Sequence, residues 1–134
     1  MYSFLNGDFK LNKFEKVSKT AYFVDKTKHI ENLSRFIGLH SSLCFIGIVL
    51  PSKFEKSVNC NMIASYYSKG ANSKNLFDNF EISKCNSYTK HLNKHNVVFI
   101  DFSTFKTNNF KEYDNYFKDT LKSDLFNYLE KEKK

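Results

Sequence analysis

The chain has 134 residues, 41% of them hydrophobic and 17% aromatic, and a formal net charge of +7. This composition fits a single domain over residues 1–134 with an apolar core, and it argues against a disordered chain. No apolar run approaches the roughly 20 residues of a membrane-spanning helix, and the N-terminus lacks a secretory signal pattern. We expect a cytoplasmic protein without a membrane partner, whose cysteines Cys44, Cys60 and Cys85 are reduced and buried.

The basic charge is concentrated in the first hundred residues. They hold 14 Lys and Arg against 7 Asp and Glu, whereas the remaining residues hold 7 of each kind. A basic surface attracts nucleic-acid phosphates, so Lys53, Lys69 and Lys74 are candidate nucleic-acid contacts. However, Arg35 is the only arginine, and specific phosphate recognition favours arginine. A general bias of the chain towards lysine is the alternative interpretation.

The first elements are short. Residues 8–20 alternate weakly and fit either a short strand or a helical turn, and residues 21–25 are typical of a short strand. Asp25 or Thr27 is placed to cap a following helix, which Gly38 would end. The apolar face of that helix comprises Ile30, Leu33, Phe36 and Ile37.

The clearest local pattern lies between residues 43 and 69. Residues 43–49 form an uninterrupted apolar run, as expected for a strand buried on both faces, and Pro51 marks its end. Residues 57–69 have helical periodicity, with Gly70 just beyond them. A strand, a polar loop and a helix in this order are typical of phosphate-binding loops.

The second half of the chain also contains predicted helices and strands. Residues 76–77 and 80–82 suggest a helical turn and a strand, and residues 88–96 suggest a short polar helix. A second buried strand is predicted at 97–101, followed by a long helix over 109–133. The apolar stripe of that helix consists of Phe110, Tyr113, Phe117, Leu121, Leu125 and Tyr128 or Leu129. Together these patterns predict an α/β fold with a small parallel sheet flanked by helices.

Several of these stretches resemble one family. Residues 22–27, Tyr-Phe-Val-Asp-Lys-Thr, resemble the Tyr-Val-Asp-Lys-Thr signature of the bacterial AAA-ATPase-like domain. Residues 50–59, Leu-Pro-Ser-Lys-Phe-Glu-Lys-Ser-Val-Asn, lie where that family has Arg-Pro-Arg-Arg-Phe-Gly-Lys-Thr-Leu-Asn. Residues 76–77 and 97–103 match its later elements, so that the resemblance covers residues 9–125. It implies a truncated P-loop-NTPase-like three-layer fold, from a domain usually linked to a PD-(D/E)xK nuclease-like domain.

The chain departs from the family pattern in the phosphate loop itself. Lys53 is the only basic residue left at the three arginine positions, and Glu55 replaces the loop glycine. A glutamate next to a polyphosphate adds bulk and a like charge, which costs on the order of 4 kcal/mol at 4 Å and an effective dielectric near 20. We therefore expect Lys53, Lys56 and Ser57 to be a vestigial nucleotide site without ATPase activity.

No metal or cofactor is expected either. The family holds Mg²⁺ with an Asp-Glu motif on a later strand, and the 134 residues end before such a strand. Asp101 can imitate that acid, but a structural role at a strand end is the favoured interpretation. His91 and His95 would share one helix face and are expected to be solvated surface residues, because no further zinc ligand accompanies them.

Three functions follow as hypotheses. The first is a catalytically inactive module that binds another protein, in the way a phage or mobile-element inhibitor of a defence system would. Its candidate contacts are Phe110, Tyr113, Phe117 and Leu121. The second hypothesis is the lysine-rich nucleic-acid binder, and the third is weak residual nucleotide binding.

Overall fold

A computed structural model describes residues 9–40, 44–49, 56–101 and 107–132 of the chain. Within these ranges the fold is mostly helical. The α-helices are α1 (Phe9–Ser18), α2 (His29–Ser34), α3 (Lys56–Tyr67), α4 (Lys74–Phe77), α5 (Tyr88–His91) and α6 (Phe110–Glu132), and a 3₁₀ helix (Glu81–Lys84) lies between α4 and α5.

Helix α3 is the centre of the packed region. Helix α1 packs along it. Six of its twelve residues are buried, namely Asn61, Met62, Ala64, Ser65, Tyr66 and Tyr67. Shortly beyond its end Gly70 adopts a φ of +78°, which glycine accepts without steric cost. The helix predicted at 57–69 is therefore confirmed, with its ends moved by one or two residues.

Aromatic rings from several helices meet beside α3. The ring of Phe14 stacks on that of Phe77 at 5.5 Å, and the ring of Tyr66 meets Phe77 edge-on at 5.3 Å. Tyr66 is completely buried, and its hydroxyl donates to the Tyr88 carbonyl oxygen at 2.8 Å. Each ring pair adds about 0.5–1.5 kcal/mol beyond the burial of its area. These contacts tie α1, α3, α4 and α5 into one core.

Asn93 closes the C-terminal end of α3. Its side-chain amide donates to the carbonyl oxygens of Ser65 at 3.1 Å and Ser68 at 3.0 Å, and its side-chain oxygen accepts from the Ser73 amide at 3.0 Å. Its φ of +53° is a left-handed conformation that asparagine tolerates better than most residues. One side chain thereby satisfies carbonyl groups that a helix end leaves without partners.

The predicted parallel sheet is wrong, because the part of the chain that the structure describes contains no β-strand. Neither described apolar run, 44–49 or 97–101, is part of a β-strand. Phe45 and Val49 are 89% and 95% exposed. An apolar run indicates a preference for burial, but a strand also needs a neighbouring strand to pair with. Between described residues, Ser68 and His95 form an isolated parallel bridge.

Several shorter elements also differ from expectation. Residues 8–20, for which the sequence allowed a strand or a helix, contain α1, whereas residues 21–25 form a turn and an irregular segment instead of a strand. The strand expected at 80–82 is a 3₁₀ helix, and the helix expected at 88–96 ends at His91. The cysteines are free, as expected, but Cys44 and Cys60 are exposed and Cys85 is only partly buried.

Helix α6 matches the predicted boundaries to within one residue, but its buried face is shifted. Asp124 is its buried residue, Tyr128 is half-buried, and Leu125 and Leu129 are exposed. The hydroxyl of Tyr128 donates to the Asn96 side-chain oxygen at 2.9 Å, which ties α6 to the segment after α5. The helix therefore turns a more polar side inwards than its leucine pattern predicts.

Candidate functional site

The first turn of α3 carries two of the predicted nucleotide-site residues. Lys56 and Ser57 are its first two residues, and both are exposed. Backbone N–H groups in the first turn of a helix lack intrahelical partners and carry a partial positive charge, which suits an anion. Lys53, Glu55 and the rest of the predicted loop lie outside the described residues, so the altered phosphate loop remains a prediction.

A cavity of about 390 Å³ lies beside this turn. Its walls come from four stretches of the chain: Lys26, His29 together with Asn32 and Leu33 of α2, Ile48, and Asn59 together with Met62 of α3. Asn59 is only three residues after Lys56, so the cavity begins within one turn of the helix N-terminus. Its volume falls in the range of about 300–1,000 Å³ that is usual for small-molecule sites.

Hydrogen bonds accepted by the Asp25 and Thr27 side chains hold one wall of the cavity. The carboxylate of Asp25 accepts from the Thr27 amide at 2.8 Å and from the Glu81 amide at 2.7 Å. The hydroxyl of Thr27, which is fully buried, accepts from the Ile82 amide at 3.2 Å. Asp25 and Thr27 thus fasten this segment to the 3₁₀ helix, while Lys26 between them lines the cavity.

With this geometry in place, comparison with known proteins identifies the family. Residues 9–134 match the model of the AAA-ATPase-like family, described as a predicted AAA-ATPase. The chain belongs to the AAA-ATPase-like family. No curated protein and no solved structure matches it. The resemblance inferred from residues 22–27 is therefore confirmed at the level of the family, whereas the link to a nuclease domain remains a prediction.

The cavity contains one residue from each of two stretches that were compared with the family, and it adds residues that the sequence did not reveal. The stretch Asp25-Lys26-Thr27 looked like a strand end or a helix cap, but it anchors and lines the cavity. Asn59 could have been selected from the sequence, because it matches the asparagine that follows the family's loop. His29, Asn32, Leu33, Ile48 and Met62 had no distinguishing sequence pattern, because apolar or polar side chains at helical spacing are equally typical of a core or a surface.

The residues suggested for protein contact have mixed environments. Phe110 is 80% exposed, whereas Tyr113, Phe117 and Leu121 are half-buried. All four lie on α6, and no residue of α6 is among those that line the cavity. Only part of the predicted stripe is therefore available as an apolar contact surface.

The candidate nucleic-acid contacts are not gathered by the structure into one described site. Lys69 is exposed just after α3, and Lys53 lies outside the described residues. The ammonium group of Lys74 pairs with the Asp78 carboxylate at 2.7 Å, which offsets its charge locally. Asp101, the possible metal-binding acid, is exposed. Among the described residues, no three His, Cys, Asp or Glu side chains cluster as a metal site, and no helix is long and apolar enough to cross a bilayer.

His91 and His95 contact each other away from full solvent exposure, so the prediction that they are solvated surface residues is wrong. His91 is buried and ends α5, and His95 is half-buried four residues later. Their rings stack, with Nδ1 of His91 at 3.0 Å from Nε2 of His95, and the ring of Tyr67 packs edge-on against both. Burial, followed by the neighbouring His95 and Lys90 charges, lowers the pKa of His91, and burial and Lys69 lower the pKa of His95.

Proposed function

We propose that this chain binds an adenine nucleotide without hydrolysing it, with the base in the cavity beside α3. The observation that carries the proposal is the position of a cavity of about 390 Å³ next to the first turn of α3 in a member of an ATPase-like family. This puts residual nucleotide binding, the third of the sequence-based hypotheses, ahead of the other two.

The chemistry of the cavity suits a flat, nitrogen-containing ring. Leu33, Ile48 and Met62 supply apolar walls on which a purine can pack. The side-chain amides of Asn32 and Asn59 each offer a donor and an acceptor, which is what the edge of a purine base requires. A mostly apolar pocket with a few convergent polar groups is the usual form of a small-molecule site.

The phosphates of such a ligand would lie towards the start of α3. Asn59 is one helical turn from Lys56, so a base packed against it leaves the sugar and phosphates near the helix N-terminus. There the backbone N–H groups, the helix dipole and the Lys56 and Ser57 side chains favour an anion, whereas the Glu55 carboxylate next to them opposes one. The base and the phosphates of one nucleotide would therefore occupy adjoining places.

The sequence of the phosphate loop opposes hydrolysis. Glu55 stands where the family's phosphate loop has glycine, immediately before Lys56. Phosphoryl transfer depends almost entirely on positioning and on neutralising charge, and an added carboxylate next to the transferring group opposes both. The proposed protein would therefore hold a nucleotide as a structural or regulatory ligand.

Thermal unfolding tests base and phosphate binding separately. Adenosine should raise the melting temperature by occupying the cavity, ATP should raise it further, and a ligand at 100 times its Kd adds about 2.7 kcal/mol of stability. Leu33→Trp, which fills the cavity, and the milder Asn32→Ala should lose the adenosine effect, whereas Leu129→Trp on α6 should keep it. The proposal would be overturned if adenosine left the melting temperature unchanged, or if inorganic triphosphate raised it and adenosine did not.

The claim of no hydrolysis has its own measurement. Phosphate release from ATP with Mg²⁺ should stay at the background rate in the unmodified chain, and Glu55→Gly, which restores the family's loop glycine, is the variant expected to raise it. Turnover by the unmodified chain that Lys56→Ala removes would contradict this claim while leaving nucleotide binding intact.

Docking to another protein is a second candidate function, favoured by exposed apolar side chains. Phe45 and Val49 in one segment, and Phe110 and Leu129 on α6, are all more than half exposed. Exposed apolar groups that lie together are typical of interaction surfaces. If docking uses the first segment, Phe45→Lys with Val49→Lys should remove a complex of defined stoichiometry that Phe110→Lys retains. The opposite pattern would place the contact on α6, and a complex that survives both changes would exclude both surfaces.

A further inference from the structure

We propose that His91 and His95 form a binding site for one divalent transition-metal ion of the Ni²⁺ or Cu²⁺ type. The site lies at the C-terminal end of α5, its two residues do not line the nucleotide cavity, and it does not depend on the proposed function. Two imidazole nitrogens from the chain would hold the ion, and water molecules would complete its coordination.

The distance between the two nitrogens carries the proposal. Nδ1 of His91 and Nε2 of His95 are 3.0 Å apart. With metal–nitrogen bonds of about 2.0–2.1 Å, that separation gives a nitrogen–metal–nitrogen angle of about 90–100°. Neighbouring positions of an octahedral or square-planar ion have this angle, whereas tetrahedral Zn²⁺ needs a wider one. The separation of the two nitrogens therefore already matches that of neighbouring ligands on Ni²⁺ or Cu²⁺, and the rings would turn so that both lone pairs point to the ion instead of along the hydrogen bond.

The rings are also held in place before any ion arrives. Tyr67 packs edge-on against both of them, at ring-centroid distances of 6.4 Å from His91 and 5.6 Å from His95. The backbone of His95 is fixed on both sides, because its amide donates to the Tyr67 carbonyl oxygen at 2.9 Å and its carbonyl oxygen accepts from the Lys69 amide at 2.8 Å. Pre-organised ligands lose less conformational entropy on binding.

The protons balance without a co-reactant. In the metal-free pair one ring donates an N–H to the unprotonated nitrogen of the other. Metal binding requires both facing nitrogens to be unprotonated, so the shared proton moves through solvent to the outer nitrogen of the ring that carried it. Both rings then remain neutral, with His91 protonated on Nε2 and His95 on Nδ1.

The charges around the pair limit the affinity and do not abolish it. Lys90 and Lys69 oppose a cation, whereas the Glu31 carboxylate, held by a hydrogen bond from the Ser87 hydroxyl, favours one. Hard ions such as Mg²⁺ and Ca²⁺ prefer oxygen ligands and are not expected here.

Calorimetric titration of the untagged protein with NiCl₂ at pH 7.5 tests the site. One saturable site per chain is expected. His91→Asn and His95→Gln should each weaken binding about tenfold or more, because they keep a polar atom near the original nitrogen but remove the imidazole. The chain has four histidines, so the double variant His29→Gln/His40→Gln is the matched control and should bind normally.

Cu²⁺ electron paramagnetic resonance gives an independent measurement. Hyperfine coupling to nitrogen should appear in the unmodified protein and in the His29→Gln/His40→Gln variant, and it should change in His95→Gln. Because His95 is only half-buried, His95→Gln decides the outcome if His91→Asn fails to fold. No Ni²⁺ binding by the folded unmodified protein, or full binding by His95→Gln, would overturn the proposal.

Discussion

Helices α3 and α6 are the two longest helices among the described residues, and their surroundings are opposite. Helix α3 has twelve residues, half of them buried, and contributes Met62, Tyr66 and Tyr67 to the core. Helix α6 has 23 residues, yet Asp124 is its only fully buried residue among those whose exposure is described. The longer and more regularly patterned helix therefore contributes less to the core.

The difference shows that periodicity and burial are separate properties. The stripe on α6 follows helical spacing, but Leu125 and Leu129 on that stripe are exposed. Helix α3 mixes polar and small residues with apolar ones, and its Asn61 and Ser65 are buried together with its tyrosines. A helix is stabilised in the fold by the segments that pack around it, more than by its own pattern.

Truncation of a large side chain on each helix should give the largest contrast. Tyr66→Ala should lower the free energy of unfolding by about 3–5 kcal/mol, because it empties a site among three aromatic rings and removes one of the two donors to the Tyr88 carbonyl oxygen. Leu125→Ala should change it by less than about 0.5 kcal/mol. Urea unfolding curves of both variants would measure the contrast, and equal losses would refute it.

The second prediction concerns the end of α3. Asn93→Ala should destabilise the fold by about 1–3 kcal/mol, because the carbonyl oxygens of Ser65 and Ser68 each lose one of their donors and the Ser73 amide loses its acceptor. Asn93→Asp keeps an acceptor for the Ser73 amide but cannot donate, so it should lose a similar amount. Asn127→Ala on the exposed face of α6 is the matched control and should be neutral. Urea unfolding would be the measurement, and a neutral Asn93→Ala would remove Asn93 from this role.

The helices were predictable because their signals are local. The boundaries of α3 and α6 agree with the sequence to within two residues, since apolar spacing and a following glycine can be seen in the chain itself. The sheet was not predictable in this way. Segments 44–49 and 97–101 are as apolar as buried strands, but pairing depends on a partner that no local pattern specifies.

The candidate site was predictable only at one edge. Lys56 and Ser57 could be placed at the start of a helix, because a polar loop between an apolar run and a periodic segment is a recognisable order. The cavity is built from four stretches between Lys26 and Met62 that come together only in the folded chain. The contact between His91 and His95 was also missed, because α5 ends at His91 and the two rings do not share a regular helix face.

A third prediction extends the comparison to hydroxyl groups. Thr27→Val should cost about 1–2 kcal/mol, because the buried Ile82 amide would lose its acceptor while the shape of the side chain stays the same. Thr120→Val on α6 removes a hydroxyl that donates to the Tyr116 carbonyl oxygen at an exposed position, and it should be close to neutral. Melting temperatures would measure both changes. A larger loss for Thr120→Val would mean that α6 is packed as firmly as the region around α3.

The smallest effect is expected from mild acid. The pKa values of His91 and His95 in the fold lie below the ordinary value of 6.5, chiefly because of burial. The unfolded chain therefore binds more protons just below pH 6.5, so the stability that the neutral pair contributes is present above pH 6.5 and is lost as the pH falls towards the folded values. Lys69 and Lys90 act in the same direction and Glu31 opposes them.

Melting temperatures recorded between pH 7.5 and 5 should therefore decline, and the double variant His91→Asn/His95→Gln should flatten the decline. The variant His29→Gln/His40→Gln should leave it unchanged, since neither of those residues belongs to the pair. Helix α6 has no histidine, so amide hydrogen exchange should locate the acid-dependent loss in α3 and α5 first. If α6 instead lost protection first on acidification, the acid-dependent loss would not come from the histidine pair, and the prediction would be refuted.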